Sequence, residues 1–524
     1  MDCNMHLKYS RDDREQQILQ WQTKSEPSYS SDERRSSNYK PNIWKYDFLE
    51  SLYSNYDGEN DIMQIATLIK DVKDMFVECK EDFISKLELI DRIRKLGLNN
   101  HFEKEIQEAL DTIAAIELGN NNHTCIRSEG SDLYATALHF KILRQHGYKV
   151  SQDVFLGFMD EKGTLKKSTS GDVKGRLELL EASTLALEGE NILEEAKAYL
   201  MVALRDASSV SNTDSGAISK RVVHNLELPS HRRVQWFNVK WHIKAYEKDN
   251  TNQTNMNTLL ELAKRNFNMV QAILQKDLRE ASTWWSNLGL TENLDFARDR
   301  LVECFMCTVG LAFEPEYRSF RKWLTKVINL ILIIDDVYDI YGSLEELKQF
   351  TKAVERWDVR ETELLPECMK ICFQVLYSTA SETAYEIEEE NGWNQVLPHL
   401  HKVWEDFCKA LLVEAEWYNK AYTPSFEDCL SNGGMRILCT ISLGYFDSAM
   451  IWELPRLSKR ETTHGKKVNE KCFTRSGPEV SSLLNITTNI ARVGHSLYQH
   501  GDGFGEQKRG TRSQILSLLI EPLL

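Results

Sequence analysis

The sequence predicts an all-α protein built from two helical domains, and three observations support this. From about Tyr46 onward apolar residues recur at every third or fourth position, and no strand-like alternation of apolar and polar residues persists. No proline occurs between Pro41 and Pro229, which suits long helices because an interior proline removes a backbone hydrogen bond. A chain of 524 residues is too long for one compact core, so we expect two domains.

The N-terminal part of the chain divides into a polar leader and a helical region. Residues 1–33 are polar, and we predict that they are disordered. Residues 34–228 are predicted to form the N-terminal helical domain, with a further helical pattern over residues 185–204. Two stripes of apolar residues at helical spacing carry this prediction: Ile62, Ile65, Ile69, Val72 and Phe76, then Phe83, Leu87, Ile90 and Ile93.

Pro229 interrupts the helical pattern, and we place the domain boundary there. Residues 229–524 are predicted to form a second helical domain that is richer in apolar and aromatic residues. The stretch 327–334 is apolar except for Asn329 and predicts a fully buried helix segment. A further predicted helical stripe consists of Leu294, Ala297, Leu301, Phe305 and Val309.

Charge and composition exclude several classes of function. The formal net charge of −15 argues against nucleic acid as a partner, because phosphate backbones require a basic surface. No run of residues has the roughly 18 apolar positions that a membrane span needs. Cys304 and Cys307 form a lone C-x-x-C without a second pair, and we interpret them as apolar helix positions.

Three aspartates follow directly on the apolar stretch. Asp335 and Asp339 are four residues apart, which places both carboxylates on one face of a helix, while Asp336 lies about 100° around from Asp335. Such carboxylates repel one another and are rarely buried without partners. Magnesium is commonly bound by one or two carboxylates together with substrate phosphates, so this cluster predicts a site for a metal-bridged phosphate compound.

At this point the chain resembles the plant terpene synthases, and in particular the branch rich in monoterpene synthases. Arg34 and Arg35 are followed after eight residues by Trp44, which resembles the tandem-arginine R-R-x8-W motif. Asp335 to Asp339 resembles the aspartate-rich motif of the family. Further similarities lie at Arg298-Asp299-Arg300, Trp284-Trp285, Phe313-Glu314-Pro315, and Tyr498-Gln499-His500-Gly501-Asp502-Gly503.

This resemblance implies a fold and a reaction. The fold would be an N-terminal α-barrel-like domain followed by a C-terminal class I terpene synthase helical bundle. The reaction would be the magnesium-dependent ionisation of geranyl diphosphate to a monoterpene, with Mn²⁺ as an alternative cofactor. Asp335 and Asp339, together with Asp336, would bind the metal ions and through them the substrate.

The resemblance also assigns roles to other residues. Arg298 and Arg300 would bind the released diphosphate, since guanidinium groups offer paired donors to phosphate. Trp285, and after it Trp284, would line the pocket, because aromatic faces stabilise a carbocation. Two further sets of residues would close the pocket: Tyr498 and Asp502 on a C-terminal lid, and Arg34 and Arg35 on an N-terminal strand.

The chain departs from the family pattern in one important respect. The second metal motif, of the form N/D-D-x-x-S/T-x-x-x-E, does not occur between Asp428 and Gly505. Only residues 460–465 separate Lys459 from Lys466, where the family has several tens of further residues. We therefore expect the C-terminal domain to be shortened near residues 459–466 and the protein to be weakly active or inactive. Two smaller departures are Phe504, where several relatives have histidine, and Ile328, which is not the phenylalanine of isoprene synthases.

Other interpretations remain open at this stage. The protein could be a sesquiterpene synthase acting on farnesyl diphosphate, or a non-catalytic isoprenoid-binding helical protein. A chain-elongating prenyltransferase fits less well, because that class has two aspartate-rich motifs. The resemblance implies a plastid location, whereas the acidic residues 1–33 favour the cytoplasm. We expect a monomer or a homodimer.

Overall fold

The structure, a computed structural model, confirms the all-α prediction. It describes residues 39–79, 82–119, 132–161, 163–210, 217–249, 254–392, 395–429, 431–433, 478–499, 503–504 and 509–523. No extended strand occurs within these ranges, and an isolated bridge pairs Met159 with Leu165. In the same part of the chain, no helix is both long enough and apolar enough to cross a membrane.

Eight helices make up the N-terminal half of the described chain. They are α1 (Tyr46–Glu50), α2 (Glu59–Glu78), α3 (Phe83–Lys95), α4 (Glu103–Gly119), α5 (Leu133–Gln145), α6 (Val173–Ser183), α7 (Asn191–Val210) and α8 (Ala217–Glu227). Aspartates cap three of them: the carboxylates of Asp82, Asp132 and Asp172 accept backbone N–H bonds at the starts of α3, α5 and α6. Such caps satisfy donors that the first helical turn leaves unpaired.

Ten further helices make up the rest of the described chain. They are α9 (Gln235–Lys248), α10 (Thr254–Asn287), α11 (Leu290–Asn293), α12 (Leu301–Leu311), α13 (Arg318–Asp336), α14 (Leu344–Arg356), α15 (Glu367–Asn391), α16 (Val396–Asn419), α17 (Pro478–Tyr498) and α18 (Arg509–Ile515). Short π-helical turns, Val337–Tyr341 and Leu516–Ile520, follow α13 and α18.

The predicted apolar stripes of the N-terminal half fall on helices, with two local corrections. On α2, Ile65, Val72 and Phe76 are buried as predicted, but Ile62 in the first turn is exposed. The helical pattern predicted over residues 185–204 begins only at Asn191, because a turn precedes it. Gly189 adopts a φ of 84° in that turn, a conformation that favours glycine.

The predicted stripe that starts at Leu294 is wrong in its first two positions. Helix α12 begins at Leu301, so Leu294 and Ala297 lie in the preceding loop, although Leu294 is buried. The loop has to leave the helical path because its residues contact several different parts of the molecule. The backbone N–H of Arg298, for example, donates to the Asp336 carboxylate over 2.7 Å.

Two hydrophobic cores lie on either side of α9 and α10. The first packs the N-terminal helices against the beginning and middle of α10, and the second packs the end of α10 against α12 to α17. Helix α10 is 34 residues long and contributes to both, with Phe267 in the first core and Trp285 in the second. It therefore carries packing across the whole described molecule.

Helix α13 is buried along most of its length, which confirms the helix predicted over residues 327–334 but not its full burial, because Ile328 and Ile331 are only partly buried. The polar exception, Asn329, donates a hydrogen bond from Nδ2 to the carbonyl of Thr325 over 2.7 Å. Arg321 is fully buried on the same helix and donates from Nη2 to Asp277 of α10 over 2.9 Å. Cys304 and Cys307 are free and buried in α12, as predicted.

Candidate active site

The three aspartates lie where α13 ends. The α-helix stops at Asp336, and the next five residues form a π-helical turn closed by a hydrogen bond from the Gly342 N–H to the Val337 carbonyl over 2.8 Å. Asp335 is partly buried, Asp336 is fully buried and Asp339 is exposed. The C-terminal end of a helix is its negative pole, which adds to the repulsion among these carboxylates. The aspartates therefore lie where a cation is strongly favoured.

One arginine supplies part of that positive charge. Arg298 donates from its backbone N and from Nε to Oδ2 of Asp336, over 2.7 and 3.1 Å. Its Nη2 lies 2.9 Å from Asp335 Oδ2 and 2.8 Å from Asp336 Oδ1. Burial raises the pKa of Asp336 to about 6, and the charge of Arg298 works against this rise.

The three aspartates differ in their surroundings. The carboxylate of Asp336 faces Arg298, whereas Asp335 is partly accessible and Asp339 lies at the surface. Within the described ranges, no group of three or more His, Cys, Asp or Glu side chains is arranged to hold a metal ion. The pair Asp335 and Asp339 nevertheless fits Mg²⁺, a hard cation that needs only one or two carboxylates when substrate phosphates supply the other ligands.

The second arginine of the predicted pair faces a different part of the molecule. Arg300 is buried and donates to three backbone carbonyls: Nε to Phe504 over 2.7 Å, Nη1 to Asp299 over 2.7 Å and Nη2 to Lys40 over 2.8 Å. Arg300 thus joins an N-terminal segment to a C-terminal one. For Arg300 to bind diphosphate as predicted, some of these donors would have to be released.

The two tryptophans at the end of α10 differ in their surroundings. Trp285 is buried, and its indole Nε1 donates to Asp299 Oδ1 over 3.1 Å. Trp284 is only partly buried; its ring centroid lies 5.7 Å from that of Trp285 and 5.6 Å from Nζ of Lys326. Trp284 also lines a groove of about 530 Å³ whose other lining side chains are largely charged. This placement favours Trp285 over Trp284 as an apolar wall residue.

A stripe of partly exposed apolar residues leads away from the aspartates. Ile328, Ile331 and Asp335 follow one another at intervals of three and four residues on α13, and none of the three is fully buried. All other residues of the helix from Val327 to Ile334 are buried. The sequence analysis did not identify this stripe, although counting back from Asp335 at helical spacing would have found it.

The C-terminal residues are only partly described. Tyr498, the predicted lid residue, is 55% exposed, and its ring centroid lies 6.4 Å from that of Phe504. Phe504 is buried and accepts the hydrogen bond from Arg300. A Cβ on Gly503 would lie 2.7 Å from the carbonyl oxygen of Leu497, so a side chain there would collide with backbone. The predicted site residues Arg34, Arg35 and Asp502 lie outside the described residues, as do residues 434–477 of the region between Asp428 and Gly505 that was searched for the second metal motif.

Sequence analysis also missed residues that connect the N-terminal segment to the site. Trp44 is buried, and its Nε1 donates to Glu303 Oε1 on α12 over 3.0 Å. Asp299 accepts hydrogen bonds from Asn42 and Tyr46. Trp44 and Asp299 both lie within sequence motifs. Their contacts with residues more than 250 positions away, however, are not indicated by any sequence pattern near either partner.

Two family models match the chain. One, described as "terpene synthase, N-terminal domain", matches residues 43–226, and the other, "terpene synthase family, metal binding domain", matches residues 286–470. Together they cover more than half of the chain.

Curated relatives agree with these matches. An (E,E)-α-farnesene synthase from Malus domestica is 56% identical, over 100% of this chain and 100% of that protein. An α-farnesene synthase from Ricinus communis is 49% identical, over 97% of this chain and 99% of that protein. At 40% identity, over 95% of this chain and 94% of the relative, the similarity extends to a chloroplastic α-thujene synthase from Litsea cubeba.

A solved structure is also similar to this chain in fold and in sequence. Isoprene synthase from grey poplar, in complex with three Mg²⁺ ions and dimethylallyl-S-thiolodiphosphate, superposes with a TM-score of 0.77 at 35% identity. The match covers 92% of this chain and 99% of that one.

The alignments also show that this chain is shorter internally than its relatives. The alignment with the Malus protein runs over 587 positions and covers all 524 residues of this chain, so about 63 positions hold a residue only in the relative. With the Ricinus protein, 568 positions cover 97% of this chain, which again leaves about 60 residues without a counterpart.

Proposed function

This chain belongs to the terpene synthase family, and on that premise we propose that it acts on farnesyl diphosphate and forms an acyclic sesquiterpene of the farnesene type. The observation that carries this proposal is the identity of 56% and 49%, over nearly whole chains, to two α-farnesene synthases. The similarity to a monoterpene synthase is lower, at 40%. The alternative substrate of the sequence analysis, farnesyl diphosphate, is therefore better supported than its first choice, geranyl diphosphate.

Asp335 and Asp339 are proposed to bind Mg²⁺ together with the diphosphate oxygens. When bound, the metal ions neutralise the negative charge that develops as diphosphate leaves. Arg298 holds the carboxylates of Asp335 and Asp336 in place and lies close enough to add its own positive charge to the site. In the solved relative, three Mg²⁺ ions accompany a prenyl thiolodiphosphate, whereas for this chain only the ions bound by Asp335 and Asp339 are proposed.

The isoprenoid chain is proposed to lie along the apolar stripe that begins beside Asp335. Ile331 and Ile328 follow Asp335 along the same face of α13, so a chain attached to a diphosphate at Asp335 would run over them. An apolar surface excludes water and leaves the allylic cation to lose a proton. Loss of a proton without ring closure gives a linear hydrocarbon.

We propose that turnover is impaired, because the chain lacks the family's second metal motif. The roughly 60 residues present only in the relatives agree with the loss of several tens of residues expected near positions 459–466. A missing set of metal ligands leaves part of the leaving-group charge uncompensated, and removing even one such group can cost about 10²–10³ in rate. A non-catalytic protein that binds an isoprenoid diphosphate is the second candidate, and this same shortening favours it.

The test compares the purified chain with a variant into which the segment lacking here is inserted from the Malus protein. Each is incubated with Mg²⁺ and either farnesyl or geranyl diphosphate, and the products are identified by gas chromatography with mass detection. We expect the restored variant to form farnesene from farnesyl diphosphate about 10²-fold faster or more than the chain itself. We also expect kcat/KM for geranyl diphosphate to be lower by about tenfold, which corresponds to roughly 1.4 kcal/mol.

Two results would contradict the proposal. Robust turnover by the unmodified chain would refute the impairment, and a preference of the restored variant for geranyl diphosphate would refute the substrate. Binding of farnesyl thiolodiphosphate by the unmodified chain, without turnover by either form, would select the non-catalytic alternative. The two alternative locations, plastid and cytoplasm, and the expected monomer or homodimer remain predictions.

A further inference from the structure

Asp299, the middle residue of the Arg298-Asp299-Arg300 loop, joins three side chains from two distant parts of the molecule. Its Oδ1 accepts a hydrogen bond from the Tyr46 hydroxyl over 2.5 Å and another from the Trp285 indole Nε1 over 3.1 Å. Its Oδ2 accepts a hydrogen bond from Asn42 Nδ2 over 2.9 Å. An ionised carboxylate has acceptor atoms and no donor, so its two oxygens match this set of three donors.

Burial and the negative charge of Asp299 raise the pKa of Tyr46 above its ordinary value. The phenol therefore stays protonated near neutral pH and keeps donating. Because the acceptor is charged, each of these bonds is stronger than a bond between neutral groups. Asp299 is thus a strong attachment point for residues 39–46, a segment that we name the N-terminal arm.

The two neighbours of Asp299 contact the other parts of the site. Arg298 binds the carboxylates of Asp335 and Asp336, and Arg300 donates to the carbonyls of Lys40 in the arm and of Phe504 near the C-terminus. Arg298 also lies 5.1 Å from the ring of Tyr39 in the arm. Three consecutive side chains therefore connect the aspartates, the arm and the C-terminal segment.

We propose that Asp299 is a positioning residue that docks the N-terminal arm against the loop and fixes the indole of Trp285, so that the arm can close the site. This inference rests on the proposed function for its effect on products, but the docking itself does not depend on catalysis. The contacts of Asp299 and its neighbours also explain why the loop is not helical. In a helix, the side chains of residues 298, 299 and 300 would project at fixed angles of about 100° from one another, instead of in the directions that their partners require.

Docking of the arm has a chemical consequence for the reaction. Departure of diphosphate breaks the allylic carbon–oxygen bond and leaves a carbocation on the chain. In a closed site the cation loses a proton and gives a hydrocarbon. If water enters, its oxygen bonds to the cation and a proton is released, which gives an allylic alcohol instead. A loosened arm should therefore raise the share of alcohol.

The first variant is Asp299→Asn, which keeps the size of the side chain but replaces one acceptor oxygen with a donor. Tyr46→Phe removes a single donor and leaves the bond between Asp299 and Trp285. The matched control is Asp295→Asn, because Asp295 lies in the same loop region and is exposed.

Docking is measured by limited trypsin digestion, which needs no turnover. Lys45 is exposed, and cleavage after it releases the arm and leaves a fragment that starts at Tyr46. We expect Asp299→Asn to speed this cleavage about tenfold or more and Tyr46→Phe to speed it by a smaller factor, because opening of a locally held segment sets the rate. Asp295→Asn should cleave at the wild-type rate.

The product readout uses the form with the restored segment, supplied with farnesyl diphosphate and Mg²⁺. We expect a higher ratio of alcohol to hydrocarbon in Asp299→Asn than in Asp295→Asn. Wild-type cleavage rates in both Asp299→Asn and Tyr46→Phe would overturn the docking proposal. If Asp299→Asn is cut rapidly at many sites, it has unfolded, and Tyr46→Phe alone decides. Absence of turnover in every form would refute the proposed function while leaving the cleavage result intact.

Discussion

Arg298 contacts Asp336 through three of its nitrogen atoms: the backbone N, Nε and Nη2 lie 2.7, 3.1 and 2.8 Å from the carboxylate oxygens. Asp336 has no exposed surface, and Arg298 has little. A buried carboxylate at the end of a helix is costly unless it is paired, so this contact fixes the loop before α12 against the end of α13. The same guanidinium reaches Asp335 and so sets the orientation of a proposed metal ligand.

Arg298→Lys should weaken ligand binding, because an ammonium group cannot keep the paired contacts to both aspartates. We expect the Kd for farnesyl thiolodiphosphate in Mg²⁺ to rise about tenfold or more. Isothermal titration calorimetry measures this Kd. The control variant is Arg360→Lys, because Arg360 forms an exposed ion pair with Asp358. Equal affinities for both variants would contradict this role of Arg298.

Asp277→Ala should destabilise the protein strongly. Asp277 is buried and accepts hydrogen bonds from Arg321 Nη2 over 2.9 Å and Arg318 Nε over 2.6 Å, which ties α10 to the helix that carries the aspartates. Loss of one partner from a buried ion pair costs about 3–5 kcal/mol. Denaturant unfolding should show this loss, whereas Glu280→Ala, which removes the exposed partner of Arg318, should cost about 1 kcal/mol or less. Similar losses in both variants would count against the burial argument.

Gly342→Ala should disturb the turn after the aspartates. A Cβ on Gly342 would lie 2.4 Å from Cδ2 of Leu347 and 3.2 Å from the Val337 carbonyl oxygen. Overpacking of this kind costs about 1–3 kcal/mol. The control is Gly494→Ala within α17, where a Cβ would meet nothing within 4 Å and should stabilise the helix by roughly 0.5–1 kcal/mol. Thermal unfolding should therefore move in opposite directions for the two variants, and a shared direction would refute the packing account.

Two histidines, His242 buried and His224 partly buried, predict sensitivity to acid. Burial, with the charge of Arg233 as the lesser cause, lowers the pKa of His224 to about 3, and burial with Lys95 lowers the pKa of His242 well below 6.5. Below pH 6.5 these histidines therefore bind protons in the unfolded chain but not in the folded protein. The free energy of unfolding consequently decreases as the pH falls from 6.5 towards 3.

His224→Gln should reduce this loss by roughly 1 kcal/mol per pH unit below pH 6.5, since glutamine cannot titrate. Unfolding free energies measured between pH 7.5 and 5.0 test it, with the exposed His495→Gln as the control. An unchanged pH slope in His224→Gln would contradict the assignment.

The sequence predicted those parts of the fold that depend on local periodicity. The helix around Asn329 was predicted from its nearly continuous apolar run, and the helix that carries Leu87, Ile90 and Ile93 was predicted from the spacing of its apolar residues. The loop at Leu294 and Ala297 was missed, because its apolar residues happen to continue the spacing of the next helix. Its departure from the helical path is set by contacts with Asp336, 38 residues away in the chain.

The candidate site was predicted as a set of motifs, but its connections were not. Asp335 and Asp339 were singled out by their spacing and Arg298 by the family resemblance, and the structure brings Asp335 and Arg298 together. It places Arg300 among backbone carbonyls instead, and it makes Asp299 a partner of Asn42, 257 positions away. Pairings over such separations are decided by the packing of whole helices, and no residue pattern near either partner records them.

The most direct test of the proposed site is the Mg²⁺-dependent binding of farnesyl thiolodiphosphate to the chain and to its Asp335→Ala, Asp339→Ala double variant. The thiolodiphosphate resists ionisation, so calorimetry measures affinity even if turnover is impaired. We expect the double variant to keep its unfolding temperature but to bind about 100-fold more weakly, a loss of roughly 2.7 kcal/mol, and to lose its dependence on Mg²⁺. Equal affinity in both proteins, with the same Mg²⁺ dependence, would contradict the assignment of the metal site to these two aspartates.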